Sequence, residues 1–165
     1  MFAQLRHSFA DTFRPRAGAA PFFTSIIVWG IGVGCFAASL NNFLVDIHDL
    51  NQVQRGMLEF FRELPGLLLV FLLALLHRTS DWHILRIGML ISMAGVIALC
   101  IPAHFAVVTL LIMLWSTGEH LTMPVRSAIA MQVAREGRAG ASLGYVSSAY
   151  NAGHVLGNLL VAAIF

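Results

Sequence analysis

Three ionisable residues lie inside an apolar stretch that is long enough to cross a bilayer. Residues 105–134 form this stretch, and it contains Glu119, His120 and Arg126. A charged side chain near the centre of a membrane is costly and usually faces a protein interior or a water-filled cavity. At ~1.5 Å per residue, Glu119 lies ~21 Å along the helix from Phe105, past the middle of a ~30 Å hydrocarbon core. Neighbouring helices must therefore cover Glu119.

These three residues indicate proton exchange or the binding of a small solute. A carboxyl group in a low-dielectric site can exchange protons near neutral pH, and His120 lies ~100° round the helix from Glu119. Arg126, seven residues after Glu119, shares its face and can pair with the carboxylate or bind an anionic substrate. The alternative is a structural role, in which the three side chains only tie this helix to its neighbours.

A second set of charges lies in residues 53–76. Glu59, Arg62 and Glu63 occupy positions i, i+3 and i+4, so they share one helical face. Arg62 can pair with either carboxylate, which lowers the cost of placing these charges in a membrane. Pro65 follows the charged stripe and predicts a bend, because it removes a backbone donor. The stripe is either an ion-pair cluster that locks helices together or part of a substrate or ion pathway.

The last apolar segment, residues 141–165, combines a polar face with small residues. Asn151 and His154 belong to the polar face, which suits a wet cavity better than lipid. Gly153 and Gly157 have the GxxxG spacing that lets helix backbones approach closely. We therefore expect a helix that packs tightly on one side and borders a cavity on another.

Glycines also mark the first apolar segment, residues 22–45. Gly30, Gly32 and Gly34 look like part of a dinucleotide-binding loop, but they lie inside an apolar helix rather than between a strand and a helix. Close approach by another helix is the better interpretation, with Gly30 and Gly34 as the contact residues.

Composition places the chain among integral membrane proteins. It has 165 residues, 58% of them hydrophobic and 11% charged, with a mean hydropathy of +0.80, whereas ordinary soluble domains are about 25% charged. The net charge of +2 is too small to indicate nucleic-acid binding. The histidines form neither an HExxH motif nor another metal-binding spacing. We therefore expect no metal, no cofactor and no enzymatic activity.

Arginine positions predict how the chain crosses the cytoplasmic (inner) membrane. Cytoplasmic loops are enriched in basic residues. With residues 1–21 as a cytoplasmic tail, Arg55 is external, and seven arginines near span ends are cytoplasmic: Arg6, Arg14, Arg16, Arg78, Arg86, Arg135 and Arg138. We predict an all-α, multi-pass helix bundle in the lipid bilayer, with five spans: residues 22–45, 53–76, 84–101, 105–134 and 141–165.

The predicted topology places Phe165 near the outer face of the membrane. The sequence stops there on an apolar run without a polar tail. We therefore expect the chain to be an amino-terminal fragment of a longer protein.

Several segments resemble the amino-terminal half of a major facilitator superfamily transporter. They are the basic-flanked first span, the short link between spans two and three, and the pattern R-x-x-R-x-G-x-x-x-G that starts at Arg135, followed by the glycine-bearing fifth span. RELPG, which starts at Arg62, and GEHLTMPVRSAIA, which starts at Gly118, resemble a poorly characterised bacterial branch of that superfamily. The resemblance covers nearly the whole chain.

This resemblance implies both a fold and a function. In the superfamily, two six-helix bundles rock around a central cavity, which the first, second, fourth and fifth helices of the first bundle line. Here those helices carry the candidate residues. We expect a secondary active transporter of an unidentified small solute, with protons as candidate coupling ions and the carboxyl-terminal half as the missing partner. A small non-transporting scaffold or oligomeric assembly protein is the alternative.

Overall fold

The fold is all-helical over the residues that the computed structural model describes, which are residue 9 and residues 11–14, 18–48, 50–101 and 104–164. Among these residues the only β-type pairing is an isolated antiparallel bridge between Phe13 and Ala134. The helices that position the candidate residues are, in chain order, α1 (Ala19–Asn42), α2 (Gln52–Leu67), α3 (Leu69–Leu75), α4 (Asp81–Ala98), α5 (Phe105–Val133) and α6 (Ala139–Ile164).

Three helical stretches in the described part of the chain are long and apolar enough to cross a membrane. They are Ala19–Ile47, Asp81–Ala98 and Phe105–Val133, where the first joins α1 to a π-helical turn, Phe43–Ile47. Stretches of this length and composition indicate a membrane protein. The helices of the second and fifth predicted spans are outside this set, so the five-span, multi-pass bundle stays a prediction.

The second predicted span is helical but interrupted. α2 begins at a capping box, in which the side chains of Asn51 and Gln54 each accept the other's backbone N–H at 3.0 Å. The helix contains Pro65, whose missing N–H weakens the ladder of hydrogen bonds, and it ends at Leu67. α3 resumes after Leu68. We predicted a bend at Pro65. The structure instead has a break in the helix at Leu68, three residues later.

The first helix starts earlier than its predicted span. α1 begins at Ala19 rather than at residue 22. Gly18 precedes it with a φ of +69°, a left-handed conformation that glycine adopts without strain, and its carbonyl oxygen accepts the Phe22 N–H at 3.2 Å. Most of the predicted cytoplasmic tail, residues 1–21, and the terminal Phe165 lie outside the described residues.

The chain divides into two compact units. The central unit is Leu40–Arg126, and the terminal unit combines the residues up to Ser39 with those from Ser127 onward. The central unit contains the candidates Glu59, Arg62, Glu63, Glu119, His120 and Arg126. The terminal unit contains Gly30, Gly34, Asn151, Gly153, His154 and Gly157.

Candidate functional site

The candidate site starts with three charged side chains on one face of α2. Arg62 Nε lies 2.7 Å from Glu59 Oε2, and Arg62 Nη2 lies 2.8 Å from Glu63 Oε1. The guanidinium bridges both carboxylates: the i,i+3 spacing accounts for its contact with Glu59, and it also reaches the adjacent Glu63. The Arg62 side chain is 31% exposed, whereas the two glutamate side chains are each 54% exposed. Two carboxylates and one guanidinium give this stripe a formal charge of −1.

Ser116 and His120, one turn apart on α5, contact the same part of α2. The Ser116 hydroxyl donates a hydrogen bond to the backbone carbonyl oxygen of Arg62. His120 Nδ1 lies 3.0 Å from Ser116 Oγ and 2.9 Å from the Ser116 carbonyl oxygen. Ser116 is buried. Its hydroxyl group links α5 to α2, and its two oxygen atoms hold the imidazole ring of His120 in one orientation.

The second imidazole nitrogen of His120 faces a carboxylate. His120 Nε2 lies 3.5 Å from Glu63 Oε2. The ring packs against Gly66, where an added Cβ atom would lie 2.6 Å from Nε2. A larger residue at position 66 would therefore displace the ring from Glu63. The glycine after Pro65 leaves the space in which the histidine reaches α2.

Glu119 and Arg126 also lie on α5. Glu119 directly precedes His120, Arg126 follows it by six residues, and both are partly buried. The Glu119 carbonyl oxygen accepts a hydrogen bond from Thr122 Oγ1 at 2.8 Å. Since successive helical residues are ~100° apart, Glu119 faces a different direction from His120. Of the residues predicted on this helix, His120 contacts the charged stripe of α2, through Glu63.

Asn151 and His154 lie on α6 in the terminal unit. Asn151 is exposed and His154 is partly buried. His154 Nδ1 lies 3.3 Å from Nδ2 of Asn158, and its ring centroid lies 6.1 Å from that of Tyr150. An amide NH2 only donates hydrogen bonds, so this contact uses Nδ1 of His154 as the acceptor. Tyr150, His154 and Asn158 follow one another at one-turn spacing on α6, and Asn151 lies next to Tyr150 in sequence.

Glycines bring α1 and α6 into close contact within the terminal unit. An added Cβ atom at Gly34 would overlap the carbonyl oxygen of His154, and one at Gly157 would overlap a carbonyl oxygen of α1. Gly30 and Gly153 are equally close to the backbone of the facing helix. The two glycine pairs identified in the sequence therefore face each other, and the backbones meet without side chains between them.

A second close helix contact, which we did not predict from the sequence, joins α4 to α5 in the central unit. The small residues Gly88, Ser92 and Gly95 occupy positions i, i+4 and i+7 of α4 and form a stripe that faces α5. Ser92 Oγ donates to the Trp115 carbonyl oxygen at 2.8 Å, and a Cβ atom at Gly88 would lie 2.9 Å from the Gly118 carbonyl oxygen. The small-residue spacing on α4 was the available signal in the sequence.

Residues 11–14 form an amino-terminal strap that pairs with the carboxyl end of α5 and the residues after it. Arg14 donates through its backbone N–H and its Nε to two carbonyl oxygens there, both at 2.9 Å. Arg135 donates in the same two ways to the strap, at 2.8 Å and 2.9 Å. The bridge between Phe13 and Ala134 lies at the centre of these bonds. Aromatic rings pack edge to face around the strap: Phe9, Phe13, Phe23 and Tyr145.

The described residues contain no group of three or more His, Cys, Asp or Glu side chains that could hold a metal ion. In a scan against models of protein families, and in searches of curated proteins and of solved structures, nothing matches this chain.

Proposed function

We propose that this chain is the amino-terminal bundle of a secondary active transporter, with Glu59, Arg62, Glu63 and His120 on the path of a small solute. The observation that carries the proposal is the contact between His120 and Glu63, which joins an apolar helix to a charged one. Ionisable residues in such helices are costly, so a functional role is their default interpretation.

The geometry favours a pathway over an ion-pair lock. Partly exposed ion pairs contribute only ~0–1 kcal/mol to stability, and the Glu63 side chain is 54% exposed, so a purely structural role would gain little. The 3.5 Å between His120 Nε2 and Glu63 Oε2 exceeds the ~2.7–2.9 Å of a charge-assisted hydrogen bond. Both groups therefore keep hydrogen-bonding capacity for a ligand.

The resemblance to the major facilitator superfamily supports the same proposal from the sequence. Transporters of this kind bind their solute near the middle of the bilayer, between two helix bundles. The proposal therefore includes the cytoplasmic membrane as the location and a second helix bundle as the partner. Further candidates for the solute path are Glu119, Arg126, Asn151 and His154.

Transport currents test the proposal. The protein is produced from its own complete coding frame, reconstituted in liposomes and adsorbed on a solid-supported membrane. Rapid exchange of sugars, amino acids, organic acids and nucleosides is then tested one class at a time. We expect one class to generate a transient current, and we expect Glu63→Gln to reduce it roughly tenfold or more, because loss of a charged hydrogen-bond partner costs ~1.5–3 kcal/mol.

The matched control is Glu136→Gln, which makes the same chemical change on the exposed connection between α5 and α6. This variant should keep the full current. Equal currents in Glu63→Gln and the original protein would remove the cluster from the solute path. If no class of solute produces a current and the protein forms a stable homo-oligomer, the scaffold alternative replaces the transporter.

A further inference from the structure

We propose that His120 and Glu63 form a binding site for one proton, held between Nε2 of His120 and Oε2 of Glu63. The site lies within the central unit, where the middle of α5 contacts the charged face of α2. It identifies the proton as the coupling ion of the proposed transporter.

Hydrogen-bond polarity assigns the proton of neutral His120 to Nδ1. The Ser116 carbonyl oxygen, 2.9 Å from Nδ1, can only accept a hydrogen bond. The Ser116 hydroxyl, 3.0 Å from Nδ1, already donates its proton to the Arg62 carbonyl oxygen, so it too acts as an acceptor toward the ring. Both neighbours require a donor, and Nδ1 therefore carries the N–H.

With Nδ1 protonated, neutral His120 presents a lone pair at Nε2. The atom opposite, Glu63 Oε2 at 3.5 Å, belongs to a carboxylate and is also an acceptor. Two acceptors cannot bond to each other until one of them gains a proton. A proton taken from water bonds to the Nε2 lone pair and gives an imidazolium, which donates to the Glu63 carboxylate. Release returns the proton to water and restores both lone pairs.

The charges around the site favour uptake of a single cation. From α2, the charged group that faces His120 is Glu63, and Glu63 pairs with Arg62, which in turn pairs with Glu59. These three side chains have a formal sum of −1, and one proton on Nε2 brings the sum over the four side chains to zero. On α5 itself, Glu119 is turned ~100° away and Arg126 follows nearly two turns later. The added proton therefore cancels the formal charge that these side chains carry when His120 is neutral.

Proton binding also places a second positive charge on the carboxylate that Arg62 contacts. In the structure Arg62 is shared between Glu59 and Glu63, at 2.7 Å and 2.8 Å. An imidazolium at His120 would share the Glu63 carboxylate with the guanidinium, because Nε2 faces Oε2 and Arg62 Nη2 contacts Oε1. The proton on α5 is thereby coupled to the ion pairs of α2. This inference rests on the proposed function, since the coupling serves transport only if the cluster lies on the solute path.

Nuclear magnetic resonance of ¹⁵N-labelled histidine and arginine in the full protein, held in lipid nanodiscs, tests the site. His120→Gln assigns the histidine signals, and Arg62→Gln assigns those of the arginine. At about pH 8 we expect His120 to carry its proton on Nδ1 with Nε2 bare. On acidification, Nε2 should gain a proton and the Arg62 signal should shift in step with it.

Two matched glutamate variants separate the site from general electrostatics. In Glu63→Gln, the amide NH2 can donate to Nε2 without an added proton, so the Arg62 signal should no longer follow His120. In Glu59→Gln, one turn earlier on the same helix, the Arg62 signal should keep following it, because Glu63 is unchanged.

A neutral His120 with its proton on Nε2, or an Arg62 signal that ignores His120 in the original protein, would overturn the proton site. These outcomes are independent of the transport assay. Currents without the Nδ1-protonated form would leave the transporter standing and remove this site. The expected signals without any current would keep the proton site and contradict the transporter.

Discussion

The contact between α1 and α6 and the contact between α2 and α5 join helices by different chemistry. In the first, Gly34 and Gly157 leave no side chain between two backbones. In the second, Ser116 and His120 contact Arg62 and Glu63 through hydrogen bonds and charges, and the glutamate side chain is half exposed. In the first contact two backbones meet directly, and the second contact is open and charged.

This difference separates the contact that stabilises the fold from the contact that can carry chemistry. Helices in lipid associate through close packing, because lipid tails are as apolar as leucine side chains, and close backbones add weak Cα–H···O contacts. Partly exposed ion pairs contribute little, typically ~0–1 kcal/mol. The glycine contact should therefore be sensitive to a single methyl group, whereas the charged contact should tolerate loss of charge and lose mainly its function.

The largest effect on stability is expected for Gly34→Ala. Its new methyl group would overlap the His154 carbonyl oxygen, and overpacking of this kind costs ~1–3 kcal/mol. Loss of helical circular dichroism during titration with sodium dodecyl sulfate measures the change in free energy of unfolding.

Gly32→Ala on the same helix is the matched control for this prediction. No atom lies within 4 Å of a Cβ atom at Gly32, and alanine has a helix propensity that is ~0.8–1 kcal/mol better than that of glycine. We expect no loss of stability. Equal destabilisation by both substitutions would show that glycine flexibility, rather than the helix contact, is required.

A smaller effect on stability is expected for Arg62→Gln. The substitution removes two ion pairs to half-exposed glutamates, which should cost about 1 kcal/mol or less. The same detergent titration measures it. A loss as large as that of Gly34→Ala would mean that the charged contact is structural after all, and it would favour the ion-pair lock.

The smallest effect on stability is expected for Ser92→Ala in the contact between α4 and α5. This contact combines close backbone packing with a side-chain hydrogen bond. Ser92 adds one hydrogen bond, to the Trp115 carbonyl oxygen, between backbones that small residues already bring close. Side-chain hydrogen bonds between membrane helices average ~0.6 kcal/mol. Gly88→Ala provides the comparison, because its methyl group would lie 2.9 Å from the Gly118 carbonyl oxygen. It should cost more than Ser92→Ala, and the reverse order would contradict the dominance of packing.

Local spacing explains why parts of this structure could be predicted from the sequence. The charged stripe follows from the positions of Glu59, Arg62 and Glu63, because residues three and four apart on a helix are neighbours. The glycine spacing on α1 and α6 marks faces that can pack closely. Helix ends were less predictable. α1 starts at Ala19 and α2 stops at Leu67, since turn residues and breaks in hydrogen bonding decide them.

The contacts that involve distant residues could not be predicted in the same way. The order of residues does not tell that His120 contacts Glu63, because that depends on which face of α5 packs against α2. From the sequence, Gly66 is only a residue with low helix propensity. In the structure it leaves room for the imidazole ring of His120. The strap was missed because a short arginine-bearing tail has no periodic pattern, and its partners lie far along the chain.

The strap of residues 11–14 can form only late in biosynthesis. Ala134, which accepts the hydrogen bond from the Arg14 side chain, follows it by 120 residues. At about 5–20 residues per second, a ribosome needs roughly 6 to 24 s after making Arg14 to reach Ala134. The ribosome therefore synthesises the whole central unit before the two segments of the terminal unit can contact each other. The first part of the described chain to leave the ribosome is among the last to reach its folded contacts.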